Sequence, residues 1–244
     1  MRHGNVLSLK AAIDPPGWGG EAAGVDGASN LAEAGYQQIR HALMDGRFVL
    51  GQHFTIRSLA EVFGTSPMPM RDALKRLVAE RALELRPNRS VLLPFMSRAR
   101  FQEILQIRLA LEPLLTRRAT PHITALEIEM MAADHKAMCQ AVAQGQAVAY
   151  LAANRRFHFR LYMAAGTLVM MPMVESLWMQ IGPYLHQVFK SHKAATQTAD
   201  HHHLDVLRAL RRHDAEAAAG AVWSDLSDAG DEILQGNLFA GEQR

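Results

Sequence analysis

The chain has 244 residues, 49% hydrophobic and 20% charged, the balance of a globular protein with enough apolar material for one large domain or two ordinary ones. Its 26 basic residues are nearly cancelled by 24 acidic ones, so any attraction to nucleic acid has to come from local clustering of charge. The single cysteine, Cys139, excludes an intramolecular disulfide, and no apolar run approaches the roughly 20 residues of a membrane-spanning helix, so a cytoplasmic protein with no membrane partner is expected.

Residues 1–28 are rich in Gly, Ala and Pro with no continuous apolar stretch, and read as a disordered tail and not as a signal peptide. Residues 29–95 carry the first domain. Tyr36, Ile39 and Leu43 recur on one face of a helix over 31–44, which Gly46 and Gly51 in "DGRFVLGQ" bring to a stop. Ile56, Leu59, Ala60 and Phe63 have the i, i+3, i+4, i+7 spacing of a second, short helix, and Gly64 suits the left-handed turn after it. In "GTSPMPMRDALKRL" Ser66 is placed to cap a third helix, with Pro67 at its first position and Pro69 still among the orphan donors of its first turn. Met70, Ala73, Leu74 and Leu77 form its apolar stripe, while Arg71, Lys75 and Arg76 lie largely off it. The sequence "LELRPNRSVLLPF" then predicts a hairpin closed at Pro87-Asn88-Arg89-Ser90. This order of elements predicts a winged helix-turn-helix.

From Ser97 the strand signals vanish. Helical patterns follow over about 98–119, 124–144, 147–165, 167–190, 200–212 and 214–235, with Pro113 expected to kink the first. Gly145, Gly166 and "SHKAATQTA" mark connections. The expected fold class is therefore mainly α: an N-terminal winged helix-turn-helix and a C-terminal all-α bundle over 96–236, followed by a loose tail over 237–244.

Three of these helices carry polar residues on inward faces. Asn154 and His158 are four apart, so their side chains share one side of a helix. His203 aligns with Leu207 and Leu210, and Asp225 with Val222, Leu226 and Ala229. Buried polar groups want partners, either one another or a shared ligand.

The segments "YQQIRHALMDGRFVLGQ", "LAEVFGTSPMPMRDALKRLVAERALELRPNRSV", "IRLALEPLLTRRA", "NRRFHFRLYMAAG" and "HHHLDVLRALRRHDAEAA", in that order over about 31–235, resemble the GntR family of bacterial transcription regulators, in the FadR-like branch with an FCD domain. The resemblance implies a dimeric, DNA-binding regulator, a repressor and not an enzyme, whose affinity for double-stranded operator DNA changes when a small organic acid binds in the helical domain. It implies that the helix at 66–79 enters the major groove, with Arg57, Pro67 and Arg71 as the reading or anchoring set and Ser66, Met68, Lys75 and Arg89 beside them. An arginine in the first helical turn can reach guanine O6 and N7, and one that opens the preceding helix lies near phosphates. The family usually has arginine where Pro67 stands, a small polar residue at Met68 and glycine where Ser90 stands at the wing tip.

FCD domains commonly surround a divalent cation with Asp or Asn, a His four residues on, and two His from the last two helices. The matching residues are Asn154, His158, His203 and Asp225, the last a carboxylate in place of histidine. Nitrogen and oxygen donors of this kind suit Zn, Ni, Mn or Co. Without the resemblance the same residues read as a polar core network, and a one-residue slip in phase would substitute His202 for His203, with His201 solvated. Arg108 and Glu112 match the family's "R-x-x-x-E": either an i,i+4 ion pair or an arginine turned to the effector's carboxylate. Tyr150, Tyr162, Trp178 and the methionines of "TLVMMPMVESLWM" read as packing residues. Two alternatives keep part of this reading: a regulator for which the metal itself is the signal, and a metal-dependent hydrolase, which would leave the winged helix unexplained and for which no H-E-x-x-H motif is present.

Overall fold

The computed structural model describes residues 28–87, 90–191 and 195–241. Among these, α1 (Ala28–Met44), β1 (His53–Thr55), α2 (Ile56–Val62), α3 (Pro67–Ala79), β2 (Glu84–Leu85) and β3 (Ser90–Leu92) form the head. The helices α4 (Arg98–Ala119), α5 (Ala125–Ala143), α6 (Ala147–Met163), α7 (Met170–Ser191), α8 (Ala195–Arg211) and α9 (Ala215–Gln235) form the bundle. No helix among the described residues is long and apolar enough to cross a membrane. The tail expected over 1–28 lies outside the described residues except for Ala28, which opens α1.

In the head, Met70, Ala73, Leu74 and Leu77 of α3 are buried against α1, where Ile39 and Leu43 are fully enclosed. The i, i+3, i+4 stripe therefore faces the core as its spacing dictates. Thr55 caps α2 reciprocally with Ser58: each side chain accepts the other's backbone N–H at 3.0 Å. Ser66 occupies the N-cap of α3 with extended backbone, but its side chain makes no capping bond, contrary to expectation. Pro69 at the third helical position has no N–H for a cap oxygen to accept, which leaves the Met68 N–H as the one cap donor within reach. The wing is a three-stranded antiparallel sheet in the order β1-β3-β2, with Phe54 and Leu85 both opposite Val91. β1 went unread because three residues with one inward side chain are too short for alternation to register. Ser90 pairs with Thr55 inside β3, and not at a wing tip as expected; the turn is closed by the Arg86 N–H donating to Ser90 O at 2.9 Å. Arg89 lies outside the described residues.

In the bundle, α4 packs on α9, α5 on α6, and α8 on α9. The chain stays helical through Pro113, so the proline does not divide α4. α8 begins at Ala195, earlier than the expected 200. Across the described residues 237–241 the expected loose tail is instead a clasp. Phe239 is fully buried, its ring 5.5 Å from that of Phe101 and 5.9 Å from that of Tyr184. The Ala240 N–H donates to Met96 O at 3.0 Å, in the segment that joins wing to bundle, and the Met96 N–H donates to the Tyr184 hydroxyl at 2.7 Å.

Head and bundle are joined through the end of α1. A Cβ on Gly182 of α7 would sit 2.2 Å from Leu43 O, so only glycine lets these two backbones meet. Just beyond α1, Asp45 is 1% exposed and accepts from Arg155 Nε of α6 at 2.8 Å, with an Arg47 guanidinium nitrogen 3.4 Å from its other oxygen. Burial and the charges of Arg155 and Arg40 hold the neighbouring His41 down at about 4, so it stays neutral and adds no third cation. A buried ion pair is worth little against two well-packed neutral groups, yet removing one partner strands the other. Asp45→Asn should therefore destabilise the protein by about 2–3 kcal/mol in urea unfolding, and adding Arg155→Gln to it should recover part of that loss. Equal stability of Asp45→Asn and wild type would contradict this.

Candidate metal centre and DNA-facing helix

The N-terminal turn of α3 is the exposed end of the head. Ser66, Pro67 and Met68 are exposed, Met68 to 61%, and Arg71 is half-buried one turn further in. Lys75 is exposed and pairs with Asp72 at 3.0 Å. Arg57 is exposed on α2. Arg76, which sequence spacing grouped with these cations, is turned away from them: it pairs with Glu33 and lies 3.7 Å over the ring of Tyr36, pinning α3 to α1.

In the bundle three helices turn polar groups to one point. α6 supplies Asn154 and His158, α8 supplies His203 and α9 supplies Asp225, all buried. His203 Nε2 is 2.9 Å from Asn154 Oδ1 and 3.2 Å from His158 Nε2. Asp225 places Oδ2 3.3 Å from His158 Nε2 and Oδ1 3.9 Å from His203 Nε2. Burial alone would raise the Asp225 carboxyl, but positive charge on the imidazoles of His203 and His158 outweighs it and brings it down to about 2, a role that a bound cation would take over from neutral imidazoles.

Glu112 of α4 settles the tautomer of His158. It accepts from Arg108 Nε at 2.5 Å, from Trp178 Nε1 at 3.1 Å and from the Tyr162 hydroxyl at 2.8 Å. Burial and the Glu112 charge push the Tyr162 hydroxyl well above its ordinary range, so its proton remains on that bond. The same hydroxyl oxygen, 3.1 Å from His158 Nδ1, can then only accept, which places the imidazole proton on Nδ1 and leaves Nε2 a bare donor. His158 is thus oriented as a metal ligand is by its outer partners. Tyr162 and Trp178 were read from sequence as packing residues. The i+4 spacing from His158 to Tyr162 was a usable signal; nothing in sequence marked Trp178.

The bare His158 nitrogen, the Asn154 oxygen and the Asp225 carboxylate all crowd His203 Nε2, which can offer one proton at most. One cation would satisfy all four. Two nitrogens held at about 2.1 Å on one ion stand roughly 3.0–3.4 Å apart, and the imidazole pair is at 3.2 Å. Among the described residues, His158, His203 and Asp225 are the group whose ligand atoms converge in this way. His202 does not replace His203: it pairs with Asp228 at 2.8 Å, and His201 is exposed.

Beside this centre lies a cavity of about 350 Å³, lined from α4, α6, α7 and α9, with Asn154 and Asp225 among its lining residues. Arg108 also lines it, yet its guanidinium is buried, paired with Glu112 and 4.8 Å from the Trp178 ring centre. The structure thus shows the i,i+4 ion pair, in a side chain that also reaches the cavity wall.

The sequence pattern of the FCD domain matches residues 103–228, and that of the bacterial regulatory proteins of the gntR family matches residues 31–93. The chain is 28% identical over 202 residues to the HTH-type transcriptional regulator McbR of Escherichia coli (strain K12), covering 82% of this chain and 87% of that one. It is 22% identical over 200 residues to the HTH-type transcriptional repressor RspR of the same organism, with the same coverage. The solved structure of E. coli McbR/YncC superposes with a TM-score of 0.79 at 25% identity, covering 84% of this chain and 97% of that one. A putative transcriptional regulator GntR from Rhodococcus sp. RHA1 superposes with a TM-score of 0.67 at 20% identity over the same shares, a likeness of fold alone. A gntR-type winged helix followed by an FCD helical domain places the chain in the GntR family of bacterial transcription regulators, in its FadR-like branch, among DNA-binding proteins and not enzymes.

Proposed function

We propose that the protein is a cytoplasmic, homodimeric repressor whose affinity for operator DNA is set by a small carboxylate bound beside a divalent cation in the helical domain. The observation that carries this reading is the convergence of Asn154, His158, His203 and Asp225 beside a cavity. The cation supplies a positive anchor for the carboxylate. The chain's own residues hold and orient that anchor: Tyr162 fixes the ring of His158, Glu112 fixes Tyr162, and Arg108 adds a guanidinium to the cavity wall. RspR, one of the relatives, is a transcriptional repressor, which supports this sign of regulation. One reading head per chain carries few cations and suits one half-site, which favours a two-fold dimer reading two.

α6 gives this site a route to DNA. Asn154 and His158 face the centre while Arg155, next to Asn154, holds Asp45 just beyond α1, against which α3 packs. A ligand that prefers one setting of α6 biases the placement of α3, and only that difference in affinity can change operator binding. On the operator, α3 enters the major groove with Ser66, Pro67 and Met68 leading and Arg71 reaching base edges, while Arg57 and Lys75 lie at phosphates.

Two measurements test this. Arg71→Ala should cost about 1–3 kcal/mol of operator binding and relax sequence preference; an equal loss on random DNA would reduce Arg71 to a phosphate contact. Zn or Ni added to protein purified without chelator should bind near one equivalent per chain and raise Tm. His203→Ala should abolish both effects, and in wild type the gain should fade as pH drops through about 6, because imidazole must be neutral to coordinate. Substoichiometric metal in wild type and no rise in Tm would reduce the four residues to a polar network.

A further inference from the structure

α4 buries one side in the bundle, through Phe101, Ile104, Arg108, Glu112 and Leu115, and turns another outward. At about 100° of turn per residue, Ile107, Ala110, Leu111 and Leu114 fall together on that outward side, at the i, i+3, i+4, i+7 spacing of a packing stripe. Such a stripe ordinarily faces a core. Here Ile107 is 43% and Leu114 42% exposed, Ala110 is exposed and Leu111 is part-buried. Single exposed apolar residues need no explanation, but four on one helical face form a patch. Glu103 continues the stripe at one end and Arg118 at the other. Both are exposed, and among the described residues no ion pair takes up either, although Arg117 beside the stripe pairs with Glu216 of α9.

The stripe is its own complement. Turned end for end about the point midway between Ala110 and Leu111, it sets Ala110 against Leu111, Ile107 against Leu114 and Glu103 against Arg118, because the members of each pair stand equally far from that point. A two-fold axis performs this operation on a second copy, so every contact is made twice and each carboxylate meets a guanidinium. Resting on the homodimer reading, we propose that the outward face of α4 is where two copies meet, packed antiparallel across a two-fold axis that passes between Ala110 and Leu111. The charge order selects this arrangement: a parallel copy in register would set like charges against each other at both ends. The small side chain of Ala110 beside the axis lets the two helices approach closely. From Glu103 to Arg118 the contact runs about 22 Å along the helix.

The test is sedimentation of the full chain at a series of concentrations, with circular dichroism to check that each variant folds. Wild type should be a dimer at micromolar concentration. Glu103→Arg and Arg118→Glu should each weaken dimerisation about tenfold or more, because each change creates two like-charge contacts per dimer. The two changes together should restore it to within about threefold of wild type. Under oxidising conditions Ala110→Cys, in a Cys139→Ser background, should yield a disulfide-linked dimer, whereas Gln140→Cys, exposed on α5, should not in the same background. A wild-type dimer that the single charge changes leave intact, or whose loss the double change fails to reverse, overturns this interface and leaves the homodimer reading standing. A wild-type monomer overturns both.

Discussion

The architecture turns on one helix that buries charge on two sides. α6 offers Arg155 to the head, where Asp45 is almost wholly enclosed, and offers Asn154 and His158 to the interior of the bundle. Neither side tolerates an unpaired group, because a stranded charge or polar atom in a poorly solvated interior costs far more than the pair contributes when complete. α6 is thus held on two sides, by the head and by the bundle interior. Gly182 reinforces this by letting α7 meet the end of α1 backbone to backbone.

The polar chain behind the centre follows the same logic. Glu112 is fully buried, and a guanidinium, an indole N–H and a phenol all donate to it. It passes that constraint through Tyr162 to the proton of His158. A fixed tautomer two bonds away from a carboxylate is a structural reason for His158 to be ready for a cation, independent of any likeness to other proteins. Asp225, on α9, belongs at once to this centre and to the wall of the cavity.

What the sequence made legible was what depends on local spacing. The stripe Met70, Ala73, Leu74 and Leu77, the boundaries of α4 and the inward phase of His203 and Asp225 all follow from helical periodicity, which a single segment contains. What stayed hidden depends on partners far along the chain. Asp45 and Arg155 are 110 residues apart and each looks like an ordinary surface charge. Phe239 reads as part of a loose end until Phe101 and Tyr184 close around it. Ser66 departs from its expected capping role for a local reason: Pro69 takes away one of the two N–H groups that an N-cap oxygen accepts from. Trp178 and Tyr162 were assigned to packing because aromatic size dominates a sequence pattern, while their polar edges matter only once Glu112 is beside them.

The most direct measurement of the account is the coupling between the centre and the DNA-reading head. Operator affinity, on a sequence selected from random DNA, should be compared with Ni-loaded and chelator-treated protein for wild type and for Asp45→Asn combined with Arg155→Gln. The account predicts that loading shifts wild-type affinity about fivefold or more, and that the double variant binds Ni with the same stoichiometry while its operator affinity no longer responds. A response of the same size in both proteins would contradict it.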